Sequence, residues 1–384
     1  MTTAPEPPAL QPIPSTSLLA GLDTGLLIHT AHRPKKNGPT AGVQAIRDLL
    51  ARERVGVVYA MPGADASEVA STVHHTRAAA PDAVILLDAD RYTGARRKLA
   101  GEGLSDGWVE MQHRLGLRWA LTDSGYVAAG DREGLRTILH QAARLQQHSG
   151  PDRGVLAGLP LAKQWLTDDA DALISEIMSA SIATALMLED PQDPLATRGA
   201  VSGLISVLGC ELAPGLLRCD MSALGALAYG ASLVAVGDHS SRRHFTPVPD
   251  PTKPQFGYAP KPAMLVPELL GYFHLAKIEL AITAAPALSV WKCACGACGG
   301  TRLDTVINSV DPPVRAFEHS VSSLARLGRQ LFAESEPVWW REKWNYALQD
   351  AQVAHEAIIS IDHPWEAASA LGAWVSQFKR AYHH

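Results

Sequence analysis

Short runs of β-branched and aliphatic residues, each closing on polar or turn-forming residues, recur eight times before position 240, with helix-like stretches between them. The runs are GLLIHTAH from Gly25, VGVVYAMP from Val55, AVILLDAD from Ala83, RWALTDSG from Arg118, GVLAGLP from Gly154, TALMLED from Thr184, GLLRCDM from Gly215 and SLVAVGD from Ser232. Most begin about thirty residues apart, the length of a strand, a crossover helix and two loops in a parallel sheet. Residues 41–52 and 66–79 carry apolar positions at helical spacing, and 168–183 follow a Thr-Asp-Asp start suited to an N-cap. Eight such units predict an α/β fold of the closed (β/α)8 TIM-barrel type rather than an open doubly wound sheet. The short gap before the last run requires a compact seventh unit.

The character changes after Asp238. TPVPDPTKPQFGYAPKP, residues 246–262, is too rich in proline for a central strand or a continuous helix. LVPELLGYFHLAKIELAITAA, from Leu265, reads as helical, a cysteine cluster follows, and two long helices are expected near 315–334 and 338–360. The predicted organisation is a flexible proline-rich N-terminus over 1–20, a barrel over 21–264 and a C-terminal zinc-binding helical extension over 265–384.

Composition narrows the picture. With 47% hydrophobic and 19% charged residues, the chain has ample apolar surface to bury and little reason for long disorder. The first 20 residues lack both a basic start and an apolar run, and no stretch is long and apolar enough to span a bilayer, so a cytoplasmic protein with no membrane partner is expected. A net charge of −5 argues against a surface that grips nucleic acid all round. A local basic groove stays open through His32-Arg33-Pro34-Lys35-Lys36, Arg96-Arg97-Lys98 or Arg242-Arg243-His244, as does a reading of each as scattered solvated charge. Gly63 and Gly101-Glu102-Gly103 make no dinucleotide fingerprint, and nothing points to a nicotinamide, flavin or pyridoxal cofactor.

Three of the five cysteines, Cys293, Cys295 and Cys298, fall within six residues. That spacing is too tight for ordinary disulfides and natural for thiolates on one metal ion, with Gly296 and Gly299 letting the backbone fold around it. His319, within VRAFEHSVSSLARL, is the candidate fourth ligand, and three sulfurs with one imidazole would fill a closed, structural zinc site. A buried or redox-sensing thiol cluster is the alternative.

The Cys-x-Cys-x-x-Cys pattern followed by a helix with Glu-His resembles the zinc motif of the tRNA-guanine transglycosylase superfamily. Cys293, Cys295, Cys298 and His319 match it, with a slightly shorter gap to the histidine. AVILLDADRYTGARRKLAGEG followed by RWALTDSGYV resembles the region that leads to the superfamily's Thr-Asp-Ser-Gly motif. The resemblance implies base exchange, guanine for a 7-deazaguanine, at an N-glycosidic bond in tRNA or DNA. It gives Asp123 the role of acid or base in the base pocket, with Ser124, Gly125 and Gly158 lining it, and suggests a homodimer formed near the zinc subdomain or a hetero-oligomer. The chain also departs from the pattern. Ala157 stands where a base-reading glutamine is usual, Met187-Leu188-Glu189-Asp190 replaces a Gly-Gly-Leu loop, and Gly230-Ala231-Ser232-Leu233-Val234-Ala235 lacks both aspartates of the nucleophile run.

A pentosyltransferase needs a carboxylate at the anomeric carbon and an acid or base for the purine nitrogens. Asp238, at a predicted strand end, is the candidate displaced nucleophile, equally readable as a turn carboxylate. Asp220 is the reserve, though it reads more readily as the N-cap of a helix over 222–229. Asp88 and Asp90 are further substrate-binding candidates, and Arg242 and Arg243 could hold a nucleic-acid phosphate. Loss of the matched nucleophile also admits a non-catalytic nucleic-acid-binding barrel or a partner subunit of an active transglycosylase.

Overall fold

All eight apolar runs form strands: β1 Leu26–Ala31, β2 Gly56–Ala60, β3 Ile85–Asp88, β4 Trp119–Leu121, β5 Gly154–Ala162, β6 Thr184–Glu189, β7 Gly215–Cys219 and β8 Val234–Gly237. The computed structural model describes residues 25–32, 42–53, 55–150, 152–249, 261–332, 337–361 and 364–381. The strands pair in parallel in the order β3-β2-β1-β8-β7-β6-β5-β4. Nearly every strand residue is buried, because helices cover one face and the barrel interior fills the other; this is why the runs read as continuous rather than alternating.

β3 and β4 lie side by side, and the seam between them is closed just past the strand ends. There Tyr126 N donates to the Lys98 carbonyl (2.8 Å) and Ala100 N to the Tyr126 carbonyl (2.9 Å). Gly125 permits this approach, since a Cβ at that position would lie 2.2 Å from the Leu99 carbonyl oxygen. The chain is therefore a (β/α)8 barrel.

Seven crossover helices follow the first seven strands: α1 Gly42–Glu53, α2 Ala66–Ala79, α3 Asp106–Arg114, α4 Arg132–His148, α5 Ala170–Ala180, α6 Arg198–Leu208 and the compact α7 Ser222–Ala228. Side-chain caps start several of them; Asp65 and Glu68 form a reciprocal capping box on α2. Within the expected 168–183 helix only 170–180 is helical, and Asp169 at its N-cap makes no capping bond. The chain then turns through Ser181 in the left-handed region.

Among the described residues no crossover helix follows β8. The C-terminal extension takes its place: α9 Pro312–Leu331 packs on α1 and β1, while α10 Pro337–Ile359 packs on α7. Contact on α7 is close, because a Cβ on Gly225 would meet Trp374 at 2.7 Å and Trp344 at 2.9 Å. Trp374 belongs to a last helix, α11 Ser369–Ala381, which the hydrophobic pattern did not predict.

One expectation is corrected. The segment from Leu265 is helical only in its second half, as α8 Leu275–Ala284, and its first half is a hairpin of β9 Ala263–Val266 and β10 Gly271–His274. Pro267 has no N–H to continue a helix, and Leu270 at φ 46° with Gly271 after it reverses the chain. Met264, Val266, Phe273, Ile278, Trp291 and Trp365 build a second, smaller core around the three cysteines. Of the proline-rich stretch, 250–260 lie outside the described residues, as do the N-terminus through residue 24 and the basic positions 33–36. Among the described residues no helix is long and apolar enough to cross a membrane.

Candidate metal centre and active site

The sulfurs of Cys293, Cys295 and Cys298 and a ring nitrogen of His319 all lie within 4.8 Å of one another. His319 Nδ1 is 3.7 Å from Cys295 Sγ and 3.0 Å from Cys298 Sγ. Ligands about 2.0–2.3 Å from a tetrahedral ion stand at comparable separations, so the donor set fits a metal. The loop is shaped by its own backbone: Gly299 N donates to the Cys295 carbonyl (2.9 Å) and Gly300 N to that of Cys293 (3.0 Å). The histidine is fixed from behind, because Nε2 lies 2.7 Å from the Leu265 carbonyl on β9 and donates to it, leaving Nδ1 as the free donor atom. All four residues are buried. A cluster with four protein ligands and no open position holds structure together rather than activating water.

A second group of polar residues gathers at the C-terminal end of the barrel, where enzymes of this architecture carry their chemistry. Most of it is paired. Arg218, on β7 with a left-handed φ of 54°, donates to Asp90 Oδ1 (2.5 Å), the Tyr92 hydroxyl (2.9 Å) and the Ser241 carbonyl (2.8 Å). Tyr92 in turn donates to Asp88 (2.6 Å), which also accepts from Asp90 N (2.8 Å) and lies 3.4 Å from His29 Nε2. Burial pushes Asp88 upward, but His29, Arg218 and Tyr92 outweigh it and hold the carboxyl below its usual range; for Asp90 burial wins and the shift is upward.

Elsewhere around the rim, Glu189 is paired with Arg97 and accepts from Tyr126 Oη (2.5 Å), and Lys163 pairs with Asp190. Phe245 closes the centre. Its N–H and carbonyl bond to Leu188 and Asp190, and its ring stands edge-on to Tyr92 and Tyr126.

Asp123 and Asp238 belong to this paired set. Asp123 is buried and accepts from Lys98 Nζ (3.1 Å) and Ser105 N (2.8 Å). Asp238 accepts from Thr30 Oγ1 (2.7 Å) and Arg242 Nε (2.6 Å). They line different cavities, Asp123 one of about 990 Å³ with Arg91, Arg96 and Arg97, and Asp238 one of about 690 Å³. Ser124 and Gly158 join Thr122 in a chain of hydrogen bonds: Ser124 Oγ lies 2.7 Å from Thr122 Oγ1, to which Gly158 N donates (2.9 Å). In this fold the Thr-Asp-Ser-Gly segment ties β4 to β5 and, through Gly125, to the β3 loop. Asp88 and Asp90 lie inside the Arg218 network, and Arg242 is spent on Asp238.

The 690 Å³ cavity keeps polar groups that have no hydrogen-bond partner among the described residues. It lies between the loops after β6, β7 and β8 and the hairpin of the extension. Asp193, after β6, accepts from Leu195 N (2.9 Å) and from Ser369 Oγ (2.8 Å) at the start of α11. Burial and the neighbouring Asp220 charge push its carboxyl up to about 7. Asp220, after β7, uses Oδ1 to cap Ser222 N (2.9 Å), and Oδ2 has no donor among the described residues. Arg243 lies 3.4 Å over the Tyr272 ring, and His244, held below its usual pKa by burial, completes the wall.

Comparison with known proteins gives a likeness of shape only. No family profile and no curated sequence matches the chain. A prophage protein of the dihydrodipicolinic acid synthase family from E. coli K12 aligns over 94% of this chain and 99% of its own, at 10% identity and a TM-score of 0.37. N-acetylneuraminate lyase from Mycoplasma synoviae aligns over 57% and 69%, at 10% identity and a TM-score of 0.36. A mandelate racemase/muconate lactonizing enzyme from a marine actinobacterium aligns over 56% of this chain, at 14% identity and a TM-score of 0.34, and the match spans 55% of that enzyme's length.

These barrels stand where transglycosylases were expected. The assignment to the tRNA-guanine transglycosylase superfamily is corrected, and with it the expectation of a pentosyltransferase that exchanges guanine for a 7-deazaguanine in tRNA or DNA. The roles that depended on it, Asp123 as base-pocket acid or base and Asp238 as displaced nucleophile, fall too. The geometry agrees, since both carboxylates are engaged in ion pairs and face different cavities.

Sequence reasoning passed over Asp193, Arg218 and Tyr272. Arg218 had a signal, a charge in the middle of the apolar strand GLLRC. Asp193, between two prolines in a loop, and Tyr272, in a segment read as helix, had none.

Proposed function

We propose that the chain is an enzyme that carries out acid–base chemistry on a small polar molecule in the cavity bounded by the loops after β6, β7 and β8. The observation that carries this reading is the contrast at the barrel mouth: most charged side chains there are paired with one another, whereas Asp220 Oδ2, Arg243 and His244 open onto one cavity beside Asp193. Its volume of about 690 Å³ suits a small metabolite. A carboxyl that titrates near neutrality, beside a second carboxylate, is equipped both to donate and to accept a proton.

Asp193 would hold the proton to be delivered, and the Asp220 charge would keep it there until a substrate group of higher basicity arrives. The Ser369 hydroxyl and the Leu195 N–H orient the Asp193 carboxyl. Zinc is the metal we assign to the cysteine and histidine cluster, as a structural ion that holds the extension, and so Ser369 and Tyr272, against the mouth. Thiols kept free and buried around one imidazole suit a reducing compartment such as the cytoplasm.

The test is turnover. The purified chain is incubated with pooled small polar metabolites and the mixture followed by mass spectrometry. Conversion that disappears in folded Asp193→Asn and Asp220→Asn supports the reading, and conversion that both variants retain in full refutes it.

A further inference from the structure

We infer that the ligand of this cavity carries an oxyanion, a phosphate ester or a carboxylate, and that Arg243 is the residue that anchors it. The inference deepens the proposed reading of the cavity and rests on it for the identity of the site. Arg243 is held by two contacts. Its guanidinium carbon lies over the Tyr272 ring, 3.4 Å from the centroid, and its Nε donates to the Gly237 carbonyl at 3.1 Å. Those two contacts fix the plane and direction of the group. They leave both terminal amino groups without an acceptor among the described residues.

The acids nearby do not supply one. Asp238 is taken by Thr30 and Arg242, and Asp220 makes no bond to Arg243. A guanidinium presented edge-on and pre-oriented by stacking matches the two oxygens of a carboxylate or phosphate, and holding it rigid before the ligand arrives removes most of the ordering cost. Burial lowers the pKa of Arg243, which still leaves an arginine charged near neutrality.

Lys261 and Lys277 line the same cavity and add positive charge on the side of the extension. Lys277 is itself held, by a hydrogen bond to the Glu366 carbonyl (3.2 Å) and by the face of Trp365 4.8 Å away. The position in the barrel agrees, because the loops after the seventh and eighth strands are where barrel enzymes recurrently seat phosphate groups. With the anion on Arg243, the rest of a small molecule would extend toward Asp193 and Asp220. Those carboxyls would meet hydroxyl or amino groups.

The test uses the full chain and two simple probes, inorganic phosphate and acetate, each titrated by calorimetry. Saturable phosphate binding that weakens at least tenfold in Arg243→Gln identifies a phosphate-ester ligand; the same pattern with acetate alone identifies a carboxylate. Arg243→Lys, which keeps the charge but loses the fork and the stacking, is expected to fall between wild type and Arg243→Gln, and covers the case in which the glutamine variant fails to fold. No saturable binding of either probe, or binding unchanged in a folded Arg243 variant, overturns the inference. Anion binding thus stands or falls separately from the acid–base roles, which turnover tests.

Discussion

Replacing Arg218 with methionine removes the cation on which the barrel mouth is built, and the structure sets the size of the effect. Arg218 is 6% exposed and makes three hydrogen bonds of 2.5 to 2.9 Å, two of them to Asp90 and Tyr92 and one to the Ser241 carbonyl. Methionine fills the volume of the stem but leaves Asp90 charged, with Asp88 close by and no counter-ion. Breaking a buried pair from one side costs about 3–5 kcal/mol, far more than an exposed pair is worth. For 384 residues the unfolding entropy is roughly 0.8 kcal/mol per kelvin, so the melting temperature should fall by about 5 °C.

The loss should also depend on pH. Without Arg218 the Asp90 carboxyl titrates higher still, and protonation discharges it, so the deficit is largest above that pKa and shrinks as pH falls. Scanning calorimetry of wild type, Arg218→Met and Arg218→Met/Asp90→Asn at pH 5 and 8 measures both effects. The double variant should recover part of the loss at pH 8. A deficit below about 1 kcal/mol, or one unchanged between the two pH values, would refute the argument that this ion pair carries the mouth.

Three further outcomes are expected. The purified chain should contain one zinc ion by elemental analysis, and His319→Ala should lose it together with several kcal/mol of stability, an effect a chelator reproduces on wild type. Gly125→Ala places a Cβ 2.2 Å from a backbone oxygen, so it should cost about 2 kcal/mol in denaturant unfolding by prising open the seam between β3 and β4. Asp193→Asn should gain on wild type as pH rises from about 4 to about 7 and level off above that, because over this window the unfolded carboxyl has ionised while the folded one still holds its proton; the plateau gain, reduced by water in the open cavity, is about 2 kcal/mol.

The barrel was legible because parallel strands buried on both faces have nowhere to put polar residues, so each wrote an unbroken apolar run into the chain. The metal ligands were legible because three thiols in six residues admit few other uses, and the helix carrying His319 does return to that loop. Roles at the mouth were not. The Thr-Asp-Ser-Gly segment looked like a substrate pocket, yet its aspartate, serine and glycine are engaged in joining β3, β4 and β5, which local sequence cannot distinguish from catalysis. The hairpin at Ala263–His274 was hidden because its residues also satisfy a helical pattern, and only Pro267 and Gly271 speak against one. Asp193, Asp220 and Arg243 meet only after the loops of β6, β7 and β8 converge with the C-terminal extension, and no spacing along the chain encodes that meeting.

The proposed chemistry requires one carboxyl at the mouth, that of Asp193, poised to exchange a proton near neutrality. The most direct measurement is a carbon-13 NMR titration of aspartate carboxyls in the full chain, with the Asp193 resonance identified by its loss in Asp193→Asn. A midpoint near 7, moving toward the ordinary carboxylate range in Asp220→Asn, is the predicted result. A midpoint close to 4 that ignores Asp220 would contradict it.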